Sequence, residues 1–84
     1  VTIMPLVFRE GPYRIFFYSN EGDPREPMHV HVRDGEREAK VWLYPSISIA
    51  ESFGFNSREL GAIISIIETN RARIEQAWHE HFGD

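Results

Sequence analysis

Met28-His29-Val30-His31-Val32-Arg33-Asp34-Gly35-Glu36-Arg37-Glu38-Ala39-Lys40-Val41-Trp42 is the stretch that decides how this chain folds. Apolar and polar residues alternate on both sides of Asp34-Gly35. That is the pattern of two half-buried β-strands joined by a tight turn. With Asp34 and Gly35 as the loop residues, the expected register sets Arg33 against Glu36 and His31 against Glu38. Val30 then faces Ala39 and His29 faces Lys40. Apolar meets apolar and polar meets polar, as a sheet with one buried face requires.

Upstream, Leu6 to Arg9 reads as a short strand and Glu10-Gly11-Pro12 as a turn. Tyr13 to Tyr18 is a strand rich in aromatic and β-branched residues. Ser19 to Pro27 is a polar loop, long for a hairpin connection. Downstream, Glu36 to Tyr44 is the return strand, and Pro45 interrupts it. Ser46 to Phe55 reads as a short edge strand or an irregular segment. Asn56 or Ser57 then caps a helix, with Glu59 placed for a capping box on Asn56. The helix runs to Phe82, and Gly83 ends it.

Leu60, Ile63, Ile64, Ile67, Ile74, Ala77 and Trp78 form the apolar stripe of that helix. Arg71 interrupts the stripe beside Asn70, so the segment reads either as one long helix, straight or kinked, or as two shorter ones. A continuous helix of about 26 residues is about 39 Å long. A six-residue strand spans only about 20 Å. The expectation is that the Trp78 end overhangs the sheet and offers an aromatic to a partner. The expected fold is α+β: an antiparallel sheet of four to five strands with a long C-terminal helix packed on one face. It forms a single domain over residues 4–84, with Val1 to Ile3 read as an N-terminal extension ahead of Met4-Pro5.

Parity sorts the strand residues into two faces. Ile15, Phe17, Met28, Val30, Val32, Ala39, Val41 and Leu43 form a nearly pure apolar set, which belongs under the helix. Arg14, Phe16, Tyr18, His29, His31, Arg33, Glu38, Lys40, Trp42 and Tyr44 form the other. This mixed face combines cations, histidines and aromatics, the residue types that anchor interfaces. A single helix cannot cover both faces of such a sheet. The candidate binding residues are Arg14, Tyr18, Arg33, Glu38, Lys40 and Trp42, together with the overhanging Trp78.

Composition narrows the function classes. The 84-residue chain has no cysteine, which excludes disulfides and thiolate chemistry. No apolar run approaches the roughly 20 residues needed to cross a bilayer, and no signal-peptide pattern is present, so the expectation is a soluble, cytoplasmic protein without membrane contact. A net charge of −4 disfavours general nucleic-acid binding. The imbalance lies in the second half, where Arg58, Arg71 and Arg73 stand against Glu51, Glu59, Glu68, Glu75, Glu80 and Asp84. The first half is nearly balanced and has room for a local basic patch.

His29 and His31 share one face of their strand, with Cα atoms about 6.5–7 Å apart. They are the candidate catalytic pair for metal-independent RNA cleavage, which needs one base and one acid near neutral pH. Arg14, Arg33 or Lys40 would stabilise the phosphoryl transition state, and Trp42 or Tyr18 would stack on a base. The same pair with Glu38 has the residue types of a zinc site. Lys40 beside His29 opposes that reading, and no metal or cofactor is expected. His79 and His81 point to opposite sides of a helix and suit its C-terminal dipole. P-loop, G-x-S-x-G and H-E-x-x-H signatures are absent.

Several segments together resemble a bacterial family, domain of unknown function 4160. They are Met4-Pro5, Tyr13 to Glu21, Pro27-Met28-His29-Val30-His31-Val32, Glu38 to Leu43, Gly54-Phe55 with Ser57 to Leu60, and Trp78-His79-Glu80. His81 departs from the pattern, which has an aromatic there. The resemblance implies a small protein encoded beside another small protein, of domain of unknown function 2442, in a toxin–antitoxin-like arrangement. It implies no catalytic residues. The function expected is therefore the interacting component of a two-gene module, with the neighbouring gene's product or a second copy as partner. A small ribonuclease using His29 and His31, with RNA as its partner, is the alternative. A metal-binding or regulatory domain is a further one.

Overall fold

Gly11 and Gly35 have φ angles of 56° and 63°, and each is the first residue of a two-residue hairpin loop. No residue other than glycine has positive φ among those described, so Pro12 and Glu36 follow in ordinary conformations. Positive φ at the first loop position alone is the type II′ turn, whose twist matches the strands it joins. The computed structural model describes residues 6–18 and 26–83. The expected start at Met4 and most of the 19–27 loop lie outside the described residues.

Five strands follow in order: β1 (Leu6–Glu10), β2 (Tyr13–Phe16), β3 (His29–Asp34), β4 (Arg37–Trp42) and β5 (Ser48–Phe53). They form one sheet in the order β1-β2-β3-β4-β5, and every neighbouring pair is antiparallel. Two helices close the chain, α1 (Ser57–Thr69) and α2 (Arg71–Phe82). The α+β class and the edge strand at residues 48–53 agree with the sequence reading.

The β3–β4 register differs from the expected one. The loop is Gly35-Glu36, and Asp34 pairs with Arg37, which also bonds its carboxylate. His29 therefore faces Trp42, His31 faces Lys40 and Arg33 faces Glu38. The shift is two residues, so it keeps parity and changes no residue's face. All eight positions assigned to the apolar face are buried. All but Ala39 belong to one cluster with Phe8 of β1 and with Ile63, Ile67, Ile74 and Trp78 of the helices.

The helical segment is split, not continuous. Asn70 has φ −107° and ψ 18°, outside helical geometry. Its side-chain Nδ2 donates to the Ile66 carbonyl at 2.8 Å, and its backbone N–H reaches the carbonyls of Ile66 and Ile67. A local side-chain bond of this kind competes with the helical ladder. A straight helix of about 39 Å would also exceed the molecule's longest dimension, 34 Å. The break lets α2 lay Ile74 and Trp78 on the sheet. Trp78 is 2% exposed, with Phe17 and His29 each at 5.4 Å between ring centroids. The expected overhang is thus corrected: Trp78 is part of the core.

At the other end, α1 begins with the capping box expected from Asn56 and Glu59. Glu59 N–H donates to Asn56 Oδ1 at 2.8 Å, and Asn56 N–H donates to Glu59 Oε1 at 2.9 Å. Arg37 donates to Glu59 Oε2 and lies over the Phe55 ring at 4.8 Å. The Asn56 backbone bond first, and the Arg37 bond second, hold the Glu59 carboxyl below its ordinary range. A depressed carboxylate contributes stability that is complete above its unfolded pKa and is lost as pH falls through its folded pKa. Glu59→Gln should therefore be less stable than the parent at neutral pH. The gap should close as urea titrations are moved below the carboxylate range, and a gap independent of pH would refute the assignment.

Candidate functional site

The alternate residues of β3 are His29, His31 and Arg33; they lie on the mixed face, and the His29 ring at its end also reaches Trp78 of α2. Cross-strand pairing completes three rows on that mixed face. Phe16, His31, Lys40 and Glu51 form the middle row. Arg9, Arg14, Arg33, Glu38 and Phe53 form the row at the turn end, and His29, Trp42 and Ser48 lie at the other.

The histidines are the least accessible part of this face. His29 is 0% exposed and His31 is 6% exposed. His29 Nδ1–H donates to the Pro27 carbonyl at 2.9 Å. A carbonyl can only accept, so in the neutral ring Nε2 carries the lone pair. The rings of His31, Trp42 and Trp78 all lie 5.4 Å from that of His29. His31 stacks on Phe16 at 5.6 Å and meets the edge of Tyr18 at 4.5 Å. Aromatic neighbours thus turn the His-x-His strand into a second, smaller core. A general base or acid must come within hydrogen-bond reach of a substrate, and His29 offers no surface for that. Of the two candidate catalytic histidines, His29 is thus fully enclosed, while His31 keeps a small exposed fraction.

Glu38 is the polar centre. It accepts hydrogen bonds from Arg33 Nη2 at 2.6 Å, Arg33 Nε at 3.1 Å and Tyr18 Oη at 3.0 Å. His31 Nδ1 lies 3.5 Å from its other oxygen contact, Oε2. The register explains the convergence: Arg33 faces Glu38 directly, and His31 is its diagonal neighbour. Lys40, which faces His31, donates to Glu26 at 2.9 Å and sits 4.5 Å over Trp42. Arg33 occupies the carboxylate that a metal bound by His31 would need, and Lys40 adds positive charge opposite that ring. The arrangement therefore favours ion pairing over cation binding.

Six of the expected binding residues, Arg14, Tyr18, Arg33, Glu38, Lys40 and Trp42, do share this face. Tyr44 leaves it, and Arg71 of α2 lies 5.4 Å over its ring. Two residues were missed. Arg9 follows from the Gly11-Pro12 turn once Glu10 is set against Tyr13, which places Arg9 opposite Arg14. Phe53 was hidden by a bulge. Ile49 faces Val41 in the core layer, and strict alternation from it would put Glu51 and Phe53 beneath the helices. The register shift between Lys40 and Val41 adds one residue and turns both onto the mixed face. Phe53 is consequently 71% exposed.

A protein-family model described as Domain of unknown function (DUF4160) matches residues 13–79, from the start of β2 into α2. No curated protein and no solved structure matches the chain.

The burial of His29 has a measurable consequence. His29→Ala should cost about 2–4 kcal/mol in urea unfolding, since it opens a cavity and leaves its neighbours without contacts. A solvent-facing histidine at a working site would change stability by less than about 0.5 kcal/mol. A value in that lower range would show that the His29 ring is not enclosed as described.

Proposed function

The chain belongs to the DUF4160 family, and from that premise we propose that it acts by binding a partner protein, as the interacting component of a two-gene, toxin–antitoxin-like module. The observation that carries this reading is Phe53. It is a large aromatic, 71% exposed, on the edge strand of the sheet and on the face that both helices leave uncovered. Beside it in the same row stand Glu38, Arg33 and Arg14. Aromatic and arginine side chains are the usual anchors of protein interfaces. The outer edge of β5 also presents backbone groups to which an incoming strand can bond. Burying the Phe53 ring would contribute about 1.5–3 kcal/mol to a complex.

The ribonuclease alternative draws less support, because its two histidines are buried among aromatic rings. The metal-binding alternative meets the cations Arg33 and Lys40. No helix among the described residues is long and apolar enough to cross a membrane.

Co-expression with the product of the adjacent gene tests the proposal. The two proteins should co-purify, and a growth defect caused by one alone should be relieved by the other. Absence of both effects would sink the module. Phe53→Ser should weaken the complex roughly tenfold or more while leaving the thermal midpoint of the free protein nearly unchanged. A complex as tight as that of the parent would place the interface elsewhere.

A further inference from the structure

Three arginines stand in one cross-strand row. Arg9 of β1 faces Arg14 of β2, and Arg14 faces Arg33 of β3. Directly opposed residues share a face, with neighbouring strands about 4.8 Å apart. The three guanidinium groups therefore rise from one side of the sheet across about 10 Å. Like charges placed directly opposite destabilise a sheet. Arg33 is compensated by Glu38. Arg9 and Arg14 are exposed, and among the described residues neither has an acidic partner. The chain is acidic overall, with 13 acidic side chains against nine basic ones. Even so, no described acid is set against these two.

We propose that Arg9 and Arg14, with Arg33 at the inner end, form a docking row for an acidic segment of a partner polypeptide. The proposal rests on the mixed face being the partner surface, and it names the chemistry of what binds there. Guanidinium forks pair with carboxylates bidentately, and these are the strong members of the ion-pair class. The order across the sheet selects a polypeptide. It reads cation, cation, cation, anion, aromatic, from Arg9 through Glu38 to Phe53. A polypeptide can set carboxylates against the first two positions and an apolar side chain against the last. A uniform polyanion such as RNA would meet Glu38 and the exposed Glu51 of the next row with like charge. It would also find only four cations among the described residues of this face, the three arginines and Lys40, where nucleic-acid affinity is usually built on roughly six to ten phosphate contacts.

The test uses the full chain, isotope-labelled, with two probes of equal charge: a short alternating Glu/Val peptide and an oligouridylate. The peptide should shift the Nε–Hε resonances of Arg9, Arg14 and Arg33, and the effect should weaken with added salt. Arg14→Glu should lower the affinity roughly tenfold or more. The same change sets an acid between two arginines, so the thermal midpoint of the variant should rise, and lost binding cannot then be ascribed to unfolding. Peptide binding that leaves the three arginines unshifted, or equal binding by Arg14→Glu, overturns the proposal. Tighter binding of the oligouridylate also overturns it and makes the row a phosphate reader. If the adjacent gene's product co-purifies equally with the parent and with Arg14→Glu, the acidic docking row fails while the module stands. If the peptide binds the row but nothing co-purifies, the row stands and the module fails.

Discussion

Arg37 bonds Asp34 across the β3–β4 turn and Glu59 in the first turn of α1, with its guanidinium over Phe55. Partly exposed ion pairs of this kind add little energy each. Their importance here is placement. The Asp34 bond fixes which residue of β3 faces which residue of β4. The Glu59 bond seats the start of the helical layer against that same hairpin. The pairings of His29 with Trp42, His31 with Lys40 and Arg33 with Glu38 all follow from the register at this corner.

Much of this was legible because parity is forgiving. A two-residue error in hairpin register changed every β4 partner of β3 yet moved no side chain to the wrong face. The eight apolar-face residues, the helix stripe and the Asn56–Glu59 cap could thus be read from pattern alone. Three features could not. The Asn70 side-chain bond to Ile66 splits the helix, and a periodic stripe gives little sign of such a local competitor. The bulge near Ala50 is a one-residue event that inverts the face of Phe53. The burial of His29 and His31 depends on which aromatic rings close over them. That is set by packing and not by the alternation of their own strand.

The mixed face consequently divides into two zones with different physics. Its interior is a polar-aromatic core in which each imidazole is enclosed by rings. In such a place a half-satisfied network costs more than an apolar one would. Its rim is charged and accessible, and the acids there are unevenly spent. Glu38 serves Arg33 and Tyr18, and Glu26 serves Lys40. Specificity on such a surface is carried by the pattern of charge, since exposed pairs contribute more to selecting a partner than to holding one.

The strand order also has a kinetic meaning. Every pairing in the sheet joins strands that are consecutive in sequence. No strand waits for a distant partner, and the longest connection to be closed within the sheet is residues 17–28 between β2 and β3. Rates across small domains rise as contacts become more local. The helices, of 13 and 12 residues, are near or below the length at which an isolated helix persists in water. They gain their stability from packing on the sheet. A chain built this way assembles its sheet from pieces that are neighbours in sequence.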